Sequence, residues 1–302
     1  MPGFRRVKVI INPASGSSEP VLSVLNDVFG SAGIDWDVAV THQAGDGTTA
    51  ARAAVEEGFN LIGVYGGDGT VAEVASALAG GETPLLLLPG GTGNALADDL
   101  GIPTTLADAA ALGVDDTAEI RRIDLGRVGE RYFVLRLTMG LETAMVGATT
   151  REMKDRFGWL AYVISGIQAI TSPEPATYSI TVDGEVHEAE GVALMVANSA
   201  AVGHVAGVRI AQDVDVSDGL LDVVLVESAA LPGLLGSAAE AAQGREPSGL
   251  SHWSGRRIRV EATPAQAVLT DGEDAGSTPF EVTVVPGAVA VLVPAPVAAS
   301  EA

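Results

Sequence analysis

The fold is decided by Leu61-Ile62-Gly63-Val64-Tyr65-Gly66-Gly67-Asp68-Gly69-Thr70, where an apolar strand runs directly into a glycine loop. Three glycines within four residues allow the backbone to approach a ligand closely, and the helix predicted over Val71–Leu78 presents an N-terminus that favours an anion. The carboxylate of Asp68 would repel a bare phosphate, so it indicates a nucleotide that carries Mg²⁺. Taken alone, however, a Gly-Asp-Gly loop is better explained as a tight turn with an N-capping aspartate.

A second loop strengthens the nucleotide interpretation, because it repeats the same design. The stretch Leu85-Leu86-Leu87-Leu88-Pro89-Gly90-Gly91-Thr92-Gly93-Asn94 again leads from an apolar strand through glycines to a predicted helix, here Ala95–Leu100. Both loops follow predicted parallel strands, so we expect both at the carboxyl edge of one sheet, where ligands bind in open α/β folds. Neither loop is a Rossmann fingerprint or a Walker A sequence, so any ATP site here lacks a P-loop lysine.

The rest of the chain falls into two parts. Up to about Asp124, strands alternate with short helices, which predicts βαβ units and a parallel sheet. Beyond it, strands are frequent, and Asp183-Gly184 and Asp271-Gly272 predict hairpin turns. We therefore predict an α/β nucleotide-binding domain over residues 1–125. Over residues 126–302 we predict a mostly antiparallel, β-sandwich acceptor domain, whose C-terminal end is able to pack back on the first domain.

Individual elements can be predicted from the apolar spacing. Two helical segments, Arg151–Ile170 and Leu231–Ala242, interrupt the β-rich part. The predicted strands are Val7–Ile11, Trp36–Val40, Leu61–Tyr65, Leu85–Leu88, Tyr132–Leu137, Tyr178–Val182, Val192–Ala197, Leu220–Val226, Ile258–Glu261, Ala267–Thr270, Phe280–Val285 and Val289–Val293.

Composition excludes several classes of protein. The 302 residues include 17 basic and 39 acidic ones, a formal net charge of −22, which argues against a nucleic-acid partner. The absence of cysteine excludes disulfides, thiolate zinc sites and cysteine nucleophiles. No stretch reaches the ~18 apolar residues of a membrane-spanning helix, and the apolar run near the N-terminus is too short for a signal peptide. We therefore expect a cytoplasmic protein.

The ordered set of motifs resembles the catalytic domain of the diacylglycerol kinase and sphingosine kinase superfamily, with bacterial soluble lipid kinases closest. The resemblance covers nearly the whole chain, whereas the first loop alone is shared with NAD kinases. It implies an ATP- and Mg²⁺-dependent kinase that phosphorylates a hydroxyl of diacylglycerol or a related lipid. The motifs that carry it are Asn12-Pro13-Ala14-Ser15-Gly16, Thr41, Gly66-Gly67-Asp68-Gly69-Thr70, Gly91-Thr92-Gly93-Asn94, Ile123-Asp124-Leu125-Gly126, Arg156-Phe157-Gly158-Trp159-Leu160-Ala161-Tyr162, Asp218-Gly219-Leu220-Leu221-Asp222 and Asp271-Gly272-Glu273.

The same resemblance implies roles for individual residues. It implies that Glu273 is the base that accepts the proton of the lipid hydroxyl, and that Asp68 and Asp271 are further catalytic residues. Residue types alone do not select Glu273, because Val182-Asp183-Gly184-Glu185 nearly copies Thr270-Asp271-Gly272-Glu273 and both suit a solvated hairpin turn. The residues implied to bind the nucleotide are Asn12, Pro13, Ser15, Gly16, Thr41, Gly66, Gly67, Asp68, Gly69, Thr70, Glu73, Gly91, Thr92, Gly93 and Asn94.

A structural Mg²⁺ is also implied, at Asp215, Asp218 and Leu220. The residue types alone do not decide whether a metal binds here. The surrounding acidic cluster does not have the spacing of an EF-hand, and a charged loop explains the cluster equally well. The chain departs from the family at Ala95, where the family usually has aspartate. Asp98 and Asp99 lie about one helical turn further along and are near enough to replace it in part.

A lipid acceptor implies transient contact with a membrane surface, so we expect a cytoplasmic protein that is peripheral at the membrane during turnover. Basic and aromatic residues at the start of Arg151–Ile170 suit such contact, although burial of this helix against the β-rich domain explains its crowded apolar positions better. Two other functions remain open: an NAD kinase-like small-molecule kinase, and a nucleotide-binding regulator without turnover, which Ala95 motivates. Whether the chain forms a homodimer is also open.

Overall fold

The protein is described by a computed structural model that covers residues 3–15, 19–140, 175–200, 214–227 and 250–295. The chain divides into two compact units. The first contains Met1–Ile123 together with the segment from Gly287 onward, and the second contains Asp124–Pro286. The predicted helices Arg151–Ile170 and Leu231–Ala242 lie outside the described residues.

The first unit is built on a parallel sheet, in the order β2-β1-β3-β4. Every residue of the third strand is buried, as expected for a strand that is covered on both faces. This confirms the α/β class predicted for the N-terminal part. The strands are β1 (Arg6–Ile11), β2 (Asp35–Val40), β3 (Leu61–Gly66) and β4 (Leu85–Pro89).

Short helices connect these strands. The first continues into a π-helical turn, Asn26–Gly30. The third begins at Asp68, inside the first glycine loop, so the loop itself forms the first helical turn. The helices are α1 (Val21–Leu25), α2 (Asp46–Glu56), α3 (Asp68–Leu78), α4 (Ala95–Asp99) and α5 (Leu106–Ala111). Within the described residues, no helix has both the length and the apolar character that crossing a bilayer requires.

The second unit consists of strands whose described pairings within the unit are antiparallel, which confirms the β-rich class predicted for it. Its strands are β5 (Glu119–Val128), β6 (Arg131–Phe133), β7 (Arg136–Gly140), β8 (Ala176–Val182), β9 (Glu185–Ala197), β10 (Leu221–Glu227), β11 (Leu250–Gly255), β12 (Arg257–Thr263), β13 (Ala267–Thr270), β14 (Glu273–Ser277) and β15 (Phe280–Val293).

The strands of the second unit follow the order β14-β13-β7-β9-β8-β12-β15, and β10 pairs with β9 and β11. Alternation along β12 shows how the sequence positions this layer, because Ile258 and Val260 are buried while Arg257 and Arg259 are exposed. The inward side chains join a core around Phe133, Tyr178, Leu194 and other apolar residues. The strands β5 and β15 continue from one unit into the other.

Three predicted strands are divided differently in the structure. Tyr132–Leu137 is interrupted, since β6 ends at Phe133 and β7 begins at Arg136. The intervening amides donate to the carboxylate of Asp271 rather than to a neighbouring strand. Conversely, Phe280–Val285 and Val289–Val293 form one continuous strand, because Gly287 adopts a positive φ of 58° without ending it.

Candidate functional site

The first group of candidate residues lies in three loops at the carboxyl ends of β1, β3 and β4. The two glycine loops touch directly: a Cβ on Gly91 would lie 2.5 Å from the Cα of Gly67. Ser15, from the loop after β1, approaches the same glycine, with its Oγ 3.8 Å from the position of a Cβ on Gly67. The sheet therefore brings together the loops that the sequence predicted to share one edge.

Asn12 and Thr70 connect the first two of these loops. The Nδ2 of Asn12 donates to the Oγ1 of Thr70 at 2.9 Å, and its Oδ1 accepts from the amide of Ala14 at 3.0 Å. Thr70 is buried and leaves no space for a side chain at Gly66, whose Cβ would lie 2.8 Å from the Cβ of Thr70. Pro13 and Thr92 are exposed, as is Gly69, while Gly16 lies outside the described residues.

Asp68 connects the first glycine loop to the second. Its Oδ1 accepts from the amide of Ala95 at 2.8 Å, at the first residue of α4, while a side chain at position 93 would collide with its Oδ2. Asn94, with a positive φ of 49°, closes the second loop on itself, because its side chain accepts from the amide of Gly91 and donates to the carbonyl of Gly91. The Asp68 carboxylate is thus fixed beside backbone that carries no side chain.

Glu73 and Thr41 are the remaining described residues that the resemblance implies for nucleotide binding. Both carboxylate oxygens of Glu73 accept main-chain amides, from Gly45 at 3.0 Å and from Gly47 at 2.9 Å. Thr41 follows β2, is buried, and donates its amide to the carbonyl of Ile11. Glu73 therefore fixes the start of α2 through both of its oxygens, an arrangement that local sequence spacing did not reveal.

The acidic cluster of the second unit is built around Asp124 and Asp218. Asp124 is buried, and its Oδ2 accepts from the amide of Gly219 at 2.6 Å. Burial raises the pKa of Asp218, and the neighbouring carboxylates of Asp222, Asp215 and Asp124 raise it further. A divalent cation would offset this repulsion, so the donor set is suited to a metal ion.

The donors at this cluster are mixed. The Oδ1 of Asp218 accepts from the amide of Leu220 at 2.8 Å, and the carbonyl of Asp215 accepts from the amide of Asp218 at 3.3 Å. Among the described residues, no three acidic or histidine side chains converge in a way that could hold a metal ion. A metal here would therefore rely on main-chain oxygens, as the resemblance implies. Asp213, a further aspartate of this acidic cluster in the sequence, lies outside the described residues.

Both Asp-Gly-Glu segments form the predicted hairpin turns. Asp271 and Gly272 have φ values of 47° and 88°, and Asp183 and Gly184 have 49° and 95°, which are the positive values that two-residue hairpins require. Glu273 is exposed and is the first residue of β14. Its location at the end of a tight turn holds its main chain while leaving its side chain accessible.

A cavity of about 500 Å³, which the sequence analysis did not predict, lies beside the turn at Asp183-Gly184. Its walls include Thr181, Asp183, Arg257, Arg259 and Glu281. The two guanidinium groups are each 2.8 Å from a carboxylate, Arg257 from Glu281 and Arg259 from Glu261. These carboxylates offset the positive charge of the two arginines, which an anion would need in order to bind in the cavity.

Comparison with known proteins identifies both parts of the chain. Residues 6–128 match the family model of the diacylglycerol kinase catalytic domain, and residues 137–293 match that of the YegS C-terminal NAD kinase beta sandwich-like domain. A solved structure of a diacylglycerol kinase from Bacillus anthracis str. Sterne is 27% identical, covers 96% of this chain and 97% of its own, and superposes with a TM-score of 0.81.

Relatives in other bacteria match over most of the chain. A Bacillus subtilis protein named diacylglycerol kinase is 30% identical over 92% of this chain and 93% of its own. A Pseudomonas aeruginosa protein named "Probable lipid kinase YegS-like" is 35% identical over 87% and 86%. An uncharacterized protein of Synechocystis sp. is 33% identical and longer, so that this chain spans 61% of its length. The chain belongs to the diacylglycerol kinase and YegS-like lipid kinase family.

Proposed function

We propose that the protein is an ATP- and Mg²⁺-dependent lipid kinase, which transfers the γ-phosphoryl group of ATP to a hydroxyl of diacylglycerol or a related lipid. One observation carries the proposal: the carboxylate of Asp68 is fixed by the amide of Ala95 where two glycine loops meet, in a chain whose relatives bear lipid kinase names. Backbone amides at such loops suit a phosphate chain, and a carboxylate among them suits the accompanying cation.

We assign the donor side of the reaction to the first unit. Asn12, Thr70 and Asn94 shape the loops through their hydrogen bonds, while the glycines leave the backbone open to the phosphates. Asp68 is the residue that would hold Mg²⁺, which supplies charge neutralisation on the phosphates when it is bound. We assign a second, structural Mg²⁺ to Asp215, Asp218 and Leu220, where burial and then the neighbouring carboxylates raise the pKa of Asp218.

We assign the proton transfer to Glu273. In the proposed reaction its carboxylate accepts the proton of the lipid hydroxyl, while the hydroxyl oxygen forms a bond to the γ-phosphorus. The bond between the γ-phosphorus and the bridging oxygen breaks, and ADP leaves with that oxygen. Exposure of Glu273 at the end of a hairpin turn supports this role, since a base must reach a substrate that comes from outside.

A lipid substrate requires access to a bilayer, so we propose a cytoplasmic protein that is peripheral at the membrane during turnover. The segment Arg151–Ile170, which the sequence suggested for this contact, lies outside the described residues. A formal net charge of −22 would be repelled by an anionic surface, so this contact is expected to be transient.

The test is transfer of ³²P from [γ-³²P]ATP and Mg²⁺ to mixed lipids in detergent micelles. We expect the wild type to label an organic-extractable product and Glu273→Gln to lower the rate at least ~100-fold, because general base catalysis contributes about 10²–10⁴. The matched control is Glu185→Gln, which changes the same residue at the other hairpin turn and is expected to keep wild-type activity.

Three outcomes would contradict the proposal. Equal activity of the two glutamine variants would remove Glu273 as the base. Phosphorylation of NAD but of no lipid would replace the lipid acceptor by a small molecule. Tight ATP binding without transfer to any lipid would favour a nucleotide-binding regulator, and Ala95→Asp would then test whether the residue usual in the family restores turnover.

A further inference from the structure

Asp271 is hydrogen-bonded to the interrupted part of the sheet through both of its carboxylate oxygens and through its own amide. Its Oδ2 accepts from the amide of Val134 at 2.7 Å, and its Oδ1 accepts from the amides of Leu135 and Arg136 at 3.0 Å each. Its own amide donates to the carbonyl of Arg136 at 2.9 Å. Four hydrogen bonds thus join the first residue of the Asp271-Gly272 turn to a segment more than a hundred residues away.

The acceptor capacity of this carboxylate is largely used. A carboxylate offers about four lone-pair positions, and three of them are occupied by main-chain amides. Burial raises the pKa of Asp271, while the three amide donors act in the opposite direction. Each of these amides would be left unsatisfied if the carboxylate turned towards a substrate, which makes such a turn costly.

The other side of the same segment is fixed as well. The buried side chain of Asn198 donates to the carbonyl of Val134 at 2.8 Å, and the amide of Asn198 donates to the carbonyl of Leu135 at 2.9 Å. Residues 134–136 therefore form a rigid base for the turn. By contrast, among the described strands β14, which begins with Glu273, pairs only with β13, and the register shifts along that pair.

We propose that Asp271 is a positioning residue, which fixes the turn carrying Glu273 and does not touch the substrate. This inference rests on the proposed function, in which Glu273 is the base. It changes the catalytic role that the resemblance implied for Asp271. Because Glu273 follows directly on this turn at the start of the short strand β14, the Asp271 hydrogen bonds restrain its position, together with the bond that Arg131 donates to the carbonyl of Asp274 at 2.8 Å.

The chain contains a matched control for this arrangement. Asp183 accepts the amides of Arg256 and Arg257 at 2.8–3.1 Å, and its own amide donates to the carbonyl of Arg257 at 2.9 Å. The turn that it fixes carries Glu185, which has no role in the proposed reaction. Asp183→Asn therefore disturbs the same kind of hydrogen bonding without disturbing the proposed base.

The test compares four variants of the full chain: Asp271→Asn, Asp183→Asn, Glu273→Gln and the double variant Asp271→Asn/Glu273→Gln. We expect Asp271→Asn to lower kcat about 100-fold with little change in the KM for ATP, the size of effect that a displacement of about 1 Å produces. Asp183→Asn should lower the unfolding temperature about as much as Asp271→Asn does, but it should leave kcat unchanged. The double variant should lose no more than Glu273→Gln alone, because a residue that acts only through Glu273 cannot add to its loss.

Hydrogen exchange gives a readout that does not depend on activity. In Asp271→Asn at least one of the amides of residues 134–136 should exchange faster, since the NH₂ group that replaces one carboxylate oxygen cannot accept a hydrogen bond. If this variant does not fold, Asp271→Glu keeps the charge, moves the carboxylate by one methylene, and serves the same kcat comparison.

Several results would overturn the inference. Equal loss of activity in Asp271→Asn and Asp183→Asn would reduce the role to general stability. A further loss in the double variant would place Asp271 in contact with the reacting groups, and wild-type kcat in Asp271→Asn would remove the role altogether. Failure of the proposed function looks different: Glu273→Gln would retain full activity, or the wild type would phosphorylate no lipid, while the exchange of residues 134–136 would still respond to Asp271→Asn.

Discussion

Gly91 has no space for even one methyl group, because the backbone of the neighbouring loop occupies it. A Cβ there would lie 2.5 Å from the Cα and 3.2 Å from the amide nitrogen of Gly67. We expect Gly91→Ala to lower the free energy of unfolding by about 1–3 kcal/mol, the usual cost of overpacking against atoms that cannot rotate away. Thermal unfolding of the wild type and the variant measures this loss.

Gly69 is the matched control, because it lies in the first loop but has no atom within 4 Å of the position of a Cβ. It occupies the first turn of α3, where alanine is favoured over glycine by roughly 0.5–1 kcal/mol. Gly69→Ala should therefore unfold at the same or a higher temperature. Because Gly69 lies in the loop proposed to bind the phosphates, we also expect ATP binding to weaken. An unfolding temperature that falls as far as that of Gly91→Ala would show that the packing argument is wrong.

At the scale of single elements, the sequence predicts strands well where turn residues bound a run of apolar residues. Leu61–Tyr65 and Leu85–Leu88 were predicted to within one residue, because continuous apolar runs have few alternatives between turn residues. By contrast, β14 has the sequence Glu-Asp-Ala-Gly-Ser and no intrinsic preference for a strand. It forms one because a two-residue turn brings it beside β13, so its pairing partner determines its structure.

The residues of the candidate site also divide into features that the sequence predicts and features that it does not. Glycine loops and Asp-Gly turns could be predicted, since their backbone conformations are local properties of the residues. The use of the carboxylates could not, because Asp271 bonds residues 135–137 positions away and Glu73 bonds residues 26–28 positions away. The hydrogen-bond partners of these carboxylates are therefore set by the folded chain and cannot be predicted from the local motif.

The acidic loop around Asp218 gives a prediction about metal. Without a cation, its carboxylates repel one another, and this repulsion helps raise the pKa of Asp218. Asp218→Asn removes one of these charges, so we expect the variant to unfold at a higher temperature than the wild type in EDTA. The wild type should gain stability with Mg²⁺, by about 2.7 kcal/mol at 100 times its Kd, and the variant should lose that gain.

Thermal unfolding across a Mg²⁺ titration, with Asp98→Asn as a control in the other unit, separates this site from general charge effects. Asp98→Asn removes the same charge and should keep the Mg²⁺-dependent gain. No gain in the wild type, or an equal gain in Asp218→Asn, would mean that these residues do not hold a metal ion.

For the whole molecule, unbalanced charge is the dominant electrostatic property. Even if every one of the 17 basic residues were paired with an acidic one, 22 of the 39 acidic residues would have no partner. Several observed pairs are exposed, such as Arg6–Asp35 and Arg257–Glu281, and exposed pairs contribute only about 0–1 kcal/mol each. Repulsion among the excess carboxylates should therefore outweigh the attraction of the pairs.

Salt screens both effects, so its net influence on stability shows which one is larger. The Debye length falls from about 30 Å at 0.01 M to about 8 Å at 0.15 M, which removes most repulsion between distant surface charges. We expect the unfolding temperature to rise as KCl increases over this range and then to level off, measured in EDTA so that no divalent cation contributes. A fall would mean that the ion pairs outweigh the repulsion. A rise that continues into molar KCl, where screening is already complete, would instead indicate a protein adapted to high salt.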